Sequence, residues 1–266
     1  MGTRPPLRVL HDCFHDDPAL DVAVSRAVMH RVAQGALPET LRLARPAAVV
    51  AFAKRDALAR GYGQALEAAR AVGFGAILRL AGGRAAVFHE GTLELAHAVP
   101  DPDPKPGIHD RFEATATLIA RALRELGVDG RVGEVPGEYC PGRWSVNAAG
   151  ARKLAGIGQR VVAGGSHTGA VIVVEGAELV REVLGPVYEA LELDWDPATV
   201  GAVEDEPAGE RWVGAALWDA VRDALLAQYA ARFDLVPGEL DPETLALARR
   251  LAAEHRPPAQ AQAPAA

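Results

Sequence analysis

Cys140 lies in the run Gly137-Glu138-Tyr139-Cys140-Pro141-Gly142, and Lys153 follows in Lys153-Leu154-Ala155-Gly156-Ile157-Gly158-Gln159-Arg160. A thiol set among turn-forming residues, outside any apolar periodic run, is placed to react, because loops project side chains toward substrate. The chemistry open to it is nucleophilic: attack on an acyl carbonyl, with a thioester carried on the protein. Free cysteine also serves as a small buried hydrophobe, and that reading stands beside the reactive one. Lys153 is one of three lysines among 28 basic residues, the other 25 being arginines. In so Arg-biased a chain, a lysine marks a position where a compact charge on a flexible stem suits a reacting centre; a solvated cation is the alternative. Beside the thiol, its ammonium would attract the thiolate and stabilise a developing oxyanion.

Upstream stands Arg79-Leu80-Ala81-Gly82-Gly83-Arg84, continuing to His89-Glu90-Gly91. Together the three segments resemble the biotin/lipoate protein ligase superfamily, over roughly residues 40 to 175. Within it the chain looks most like the octanoyl-[glycine-cleavage H protein]:protein N-octanoyltransferase branch. The Cys-Pro-Gly and Lys-x-Ala-Gly-Ile-x-Gln-Arg pair is the specific part; the Gly-Gly piece alone is weak. The resemblance implies an acyltransferase with Cys140 and Lys153 as catalytic residues. It also implies a substrate pocket drawn from Arg79, Gly82, Gly83, Arg84, His89, Gly156 and Gln159, with neither cofactor nor metal. The glycines at 82, 83 and 156 would let backbone approach the acyl chain. His89 reads equally well as a hydrogen-bonded strand histidine.

The implied partners are octanoylated H protein or acyl carrier protein as donor, and a lysine of the lipoyl domains of 2-oxoacid dehydrogenases as acceptor. ATP-dependent lipoate ligases of the superfamily carry an Arg-Arg-x-Ser-Gly-Gly-Gly-like loop. Here Leu80–Arg84 lacks the serine and the third glycine, which argues against adenylate binding. An ATP-dependent ligase, an octanoyltransferase fed by acyl carrier protein, and a non-catalytic acyl- or lipoyl-domain-binding module are the alternatives.

The elements that must position these residues read as α+β: a mixed, largely antiparallel sheet flanked by helices, with a helical C-terminal extension. Strands are expected near 7–11, 47–52, 77–80, 85–88, 93–99, 131–135, 144–147, 153–162 and 167–174. The short connections among the last of them favour antiparallel pairing. Helices are expected over 18–34, 61–72, 108–126, 177–191, 210–233 and 241–255. In the first, Leu20, Val24, Val28 and Val32 form one apolar face behind Asp17-Pro18; Asp241-Pro242 caps the last. The organisation expected is a catalytic domain over 1–205, the helical extension over 206–256 and an Ala/Pro/Gln-rich disordered tail over 257–266.

Composition narrows the class further. With 266 residues and a net charge of −7, the chain can bury a sizeable core and carries no nucleic-acid footprint. No apolar run approaches 18 residues and no signal-peptide centre stands out, so a cytoplasmic protein without membrane contact is expected. Two cysteines, Cys13 and Cys140, make at most one bridge, and a reducing compartment is the expectation. The cluster His11, Cys13, His15, Asp16, Asp17 has metal-like composition but no second ligand pair, which leaves a structural role as the better reading. Lys54, Arg55, Arg79, Arg84, Arg143, Arg152, Lys153 and Arg160 gather around the motifs and predict a locally positive mouth for acidic carrier domains.

Overall fold

The fold is that of a computed structural model, which describes residues 4–258; the expected tail lies outside the described residues from 259 onward. Two sheets organise the chain. The larger contains β1 (Pro6–Leu10), β2 (Thr40–Ala44), β6 (Thr92–Pro100), β7 (Gly130–Val132), β8 (Val146–Ala148), β9 (Arg152–Val162), β10 (Gly165–Val173) and β11 (Asp234–Pro237). Their spatial order is β11-β1-β2-β6-β10-β9-β8-β7. The smaller sheet sets β3 (Val49–Phe52) between β4 (Gly75–Leu78) and β5 (Ala86–Phe88). Among the described strands β1–β2, β1–β11 and β3–β4 pair in parallel and the other pairs are antiparallel. The mixed, largely antiparallel α+β class is therefore what forms. β9 and β10 join through the two-residue turn Ala163-Gly164, the short connection that forces antiparallel pairing.

Helices cover both faces of the large sheet. On one side lie α1 (Pro18–Ala33) and α7 (Pro242–Leu251); on the other, α3 (Ile108–Glu125) and α6 (Ala215–Ala230). The α3/α6 side holds the main core, in which Leu41, Leu93, Leu95, Ile119, Leu123 and Leu225 interlock. The small sheet buries Phe52 and Val87 against α2 (Tyr62–Ala71) and α4 (Ala177–Ala190). Caps follow the expected chemistry: the Asp17 carboxylate accepts from the Leu20 N–H at 3.2 Å and that of Asp241 from the Thr244 N–H at 2.9 Å. Val24, Val28 and Val32 are buried as one face of α1.

Three departures have identifiable causes. β2 shows no apolar alternation because every one of its residues is buried, Arg42 included. That guanidinium is held by Asp21, by Ser25 Oγ at 3.1 Å and by the Asp12 carbonyl at 2.9 Å, so a charged residue occupies a two-sided interior. The helix expected over 210–233 is instead α5 (Pro207–Arg211) and α6, separated at Gly214, whose φ is +57° and whose N–H donates to Glu175 Oε1 at 2.7 Å. The helical extension also contributes β11, a largely exposed edge strand ending in Pro237 that resembles a loop in sequence and gains its order from pairing with β1.

Candidate active site

A cavity of about 540 Å³ lies between the large sheet, α1 and the small sheet. Val22, Val49, Ile77, Phe88, Phe112 and Ile157 supply apolar wall, and the volume falls in the range of small-molecule sites. Cys140, Lys153, Arg79, Gly82, Gly83, Gly156 and Gln159 all line it. Residues as far apart in sequence as Arg79 and Gln159 thus converge on one space.

The Cys140 loop is rigid by construction. Glu138, whose side chain is fully buried, accepts from the Val135 and Gly142 N–H groups at 3.1 and 3.0 Å, from Ser145 Oγ at 2.5 Å and from Lys153 Nζ at 3.0 Å. Lys153 Nζ also donates to the carbonyls of Tyr139 and Cys140, each at 2.9 Å. The Cys140 N–H donates to Tyr188 Oη at 2.9 Å, and that hydroxyl in turn donates to the Ala85 carbonyl at 2.9 Å. So restrained, Cys140 has φ +42°, a left-handed conformation uncommon for a residue with a Cβ. Strain of this kind persists only where the surroundings over-determine it, and it aims the half-buried thiol into the cavity.

The second loop faces the sulfur. The Arg84 N–H donates to Cys140 Sγ at 3.1 Å, and Arg79 Nη1 lies 3.9 Å from it while donating to the Arg84 carbonyl at 3.0 Å. An N–H and a guanidinium directed at one sulfur stabilise negative charge there. Gly83 allows the approach: its φ is +119°, and a Cβ would sit 2.9 Å from Sγ. Behind the loop, the Arg84 guanidinium pairs with buried Asp56 at 3.1 Å.

The expected roles shift in detail. Expected on the thiolate, the Lys153 ammonium instead places its three donors on Glu138 and two loop carbonyls, so it positions the loop and the sulfur meets Arg79 and the Arg84 N–H. Arg84 is absent from the cavity wall; its backbone faces the thiol and its side chain does not. His89 is a correction: its ring is buried beside Gly91 and Gly176, accepts the Gly91 N–H on Nδ1 at 3.0 Å and does not line the cavity. Gly82 and Gly156 have room for a Cβ. The crowded glycine of β9 is Gly158, where a Cβ would stand 2.8 Å from that of Ala81 and 3.0 Å from Arg79 Nη2. Gln159 lines the cavity and anchors α3, donating to the Ile108 carbonyl at 2.8 Å and accepting from Arg111 Nε at 3.2 Å. Glu138 and Tyr188 carry the loop geometry without standing out in sequence, although Glu138 heads the cysteine motif.

Cys13 and Cys140 are both free. Burial, with Asp21 adding to it, pushes the Cys13 thiol up to about 12, and its Sγ donates to the Arg45 carbonyl at 3.0 Å. No group of three or more metal-ligating side chains forms among the described residues. Of the basic cluster, Lys153, Arg84 and Arg152 are engaged in ion pairs, while Lys54, Arg55, Arg143 and Arg160 are exposed with no ion pair among the described residues. No described helix is long and apolar enough to cross a membrane.

The far wall of the cavity is polar. Glu94 and Ser25 line it beside the Arg42–Asp21 pair, and burial pushes the Glu94 carboxyl up to about 7. His167 on β10 is pushed down to about 4, first by burial and then by the charges of His97 and Arg42. Its folded pKa lies below the unfolded one, so its contribution to stability is complete above about pH 6.5 and is lost as pH falls toward 4. Urea unfolding of the wild type should lose about 3 kcal/mol more between about pH 7 and pH 4 than that of His167→Gln. Parallel pH dependences in the two proteins would refute a buried neutral imidazole.

A family model described as the lipoyl protein ligase A/B catalytic domain matches residues 17–191. The octanoyl-[GcvH]:protein N-octanoyltransferase of Anoxybacillus flavithermus is 40% identical over 109 residues, which are 41% of this chain and 38% of that one. Its counterpart in Geobacillus kaustophilus is 32% identical over 127 residues, 47% and 44% of the two chains. A lipoyl-[GcvH]:protein N-lipoyltransferase of Listeria monocytogenes is 30% identical over 112 residues, 42% and 40%. These matches span less than half the length of the relatives. Among solved structures, a lipoate-protein ligase A bound with ATP has a TM-score of 0.72 at 20% identity, covering 96% of this chain and 95% of that one. A bipartite lipoate protein ligase from Thermoplasma acidophilum has a TM-score of 0.68 at 18% identity, covering 95% and 93%. Likeness at such identity is one of fold.

Proposed function

This chain belongs to the lipoyl protein ligase A/B catalytic domain family, and on that premise we propose that it moves an octanoyl group between protein lysines through a thioester on Cys140. The observation that carries this reading is the sulfur itself. It stands at the wall of an apolar cavity, receives the Arg84 N–H at 3.1 Å, and is held there by a left-handed backbone. A ligase that activates a free acid through an adenylate has no need of a thiol so oriented.

In the first half-reaction the Cys140 thiolate attacks the amide carbonyl of an octanoylated lysine. The S–C bond forms, the C–N bond breaks, and the donor leaves as an amine. Negative charge passes from sulfur to the carbonyl oxygen, and Arg79 and the Arg84 N–H, both directed at the sulfur, are donors available to it. The second half-reaction is the reverse, with the lysine of an acceptor lipoyl domain as nucleophile. The donor we favour is the glycine-cleavage H protein, the substrate in the names of the relatives above. Exposed Lys54, Arg55, Arg143 and Arg160 give the surface near the motifs a positive character suited to acidic carriers.

Exchange of one lysine amide for another is near thermoneutral, so no nucleotide is needed. Purified protein, octanoylated H protein and an apo lipoyl domain should therefore react in nucleotide-free buffer, followed by intact mass. Strict dependence on ATP and Mg²⁺, with free octanoate as donor, would move the assignment to a ligase. Faster transfer from octanoyl-acyl carrier protein would replace the donor.

A further inference from the structure

The mechanism leaves a proton without a carrier. The departing donor amine must gain one when the C–N bond breaks, and the attacking acceptor amine must lose one. Neither Arg79 nor the Arg84 N–H can accept a proton.

Several titratable groups line the cavity, and position removes most of them. Lys153 has all three donors engaged and is 1% exposed. Asp21 is paired with Arg42, and Glu94 lies at the same buried wall. His167 is 5% exposed on β10, in the interior of the large sheet. His109 differs from all of these. It is exposed at the start of α3 and lines the cavity together with Cys140, Gly142, Arg143 and Trp144. Its place is fixed from below. Gln159 donates to the carbonyl of the preceding Ile108, Arg111 donates to Gln159, and Arg111 pairs with Asp101 at 2.8 Å. That network ties the first turn of α3 to β9 at Gln159, the residue after Gly158, which itself abuts Ala81 of the Arg79 loop.

We propose that His109 is the proton carrier of the transfer, acting as general acid to the departing donor amine and as general base to the attacking acceptor amine. This rests on the thioester reading above. In the first half-reaction Sγ bonds to the carbonyl carbon, the C–N electron pair leaves on nitrogen, and the imidazolium of His109 gives that nitrogen its proton. In the second, the neutral acceptor amine bonds to the carbonyl carbon, its surplus proton passes to the neutral imidazole, and the C–S pair returns to sulfur. His109 ends the cycle as it began. Imidazole suits a reversible exchange because one ring can both donate and accept a proton.

A thioester donor separates this role from a structural one, because its thiolate leaving group departs without a proton. Acylation of Cys140 would be timed by mass spectrometry with octanoylated H protein and with an octanoyl thioester of N-acetylcysteamine, in wild type, His109→Gln and His109→Ala. Removal of a general acid or base costs about 10²- to 10⁴-fold, so the amide donor should slow in the variants by at least about 100-fold more than the thioester donor. Added imidazole should recover part of that loss in His109→Ala. Equal slowing with both donors, or no slowing with the amide, overturns the inference while Cys140 acylation in wild type sustains the transferase. Wild type that forms no Cys140 adduct from either donor overturns both.

Discussion

Cys140→Ser is expected to lower octanoyl transfer by on the order of 10³-fold or more while leaving the melting temperature close to that of the wild type. The hydroxyl is smaller than the thiol, and the ties that fix the loop come from the backbone of Cys140 and from Glu138, Tyr188 and Lys153. What is lost is the nucleophile: a serine hydroxyl in this place has no base within the loop to activate it, whereas a thiolate forms more readily and its charge meets the Arg84 N–H and Arg79. Intact mass after incubation with an octanoyl donor should show one octanoyl group on the wild type and none on the variant. Cys13→Ser should transfer at nearly the wild-type rate, since that thiol is protonated and turned to the Arg45 carbonyl. Full activity in Cys140→Ser would end the covalent mechanism.

Lys153→Met should destabilise the protein by about 3–5 kcal/mol, the usual cost of leaving one partner of a buried ion pair alone. The Glu138 side chain is 0% exposed and the Lys153 side chain 1%, so water cannot replace the missing partner. The Tyr139 and Cys140 carbonyls lose their donor at the same time. Transfer should fall with stability, because the left-handed turn at Cys140 is held by these bonds. Glu138→Gln in the same background removes the stranded charge, so the double variant should be more stable than the sum of the two single effects implies. Chemical denaturation of the four proteins measures this coupling directly. Wild-type stability in Lys153→Met would contradict the positioning role and return Lys153 to the thiolate itself.

Much of the architecture is legible because it follows from local rules. Asp17-Pro18 and Asp241-Pro242 start helices where their side chains can accept the first free N–H groups, and the two-residue link at 163–164 makes β9 and β10 antiparallel. β2 and β11 escape those rules for opposite reasons. One is buried on both faces and shows no alternation; the other is exposed and depends on β1 for its order.

The chain by itself determined the residues with reactive chemistry: a cysteine among turn formers, a rare lysine, and a Gly-Gly loop that together carry the family resemblance. Tertiary structure alone decided what each of them does. Lys153 and Cys140 are near in sequence, yet the ammonium is drawn to Glu138 because a buried carboxylate with no counterion is too costly to leave. Arg79 and Arg84 reach the sulfur across more than 50 residues of chain because β4 and β5 of the small sheet bring their loop against it. His89, adjacent to the motif in sequence, is carried to another part of the core beside Gly176. Composition and spacing identify which groups can react; which groups meet is set by strand pairing and by the need to satisfy every buried charge, and both are long-range.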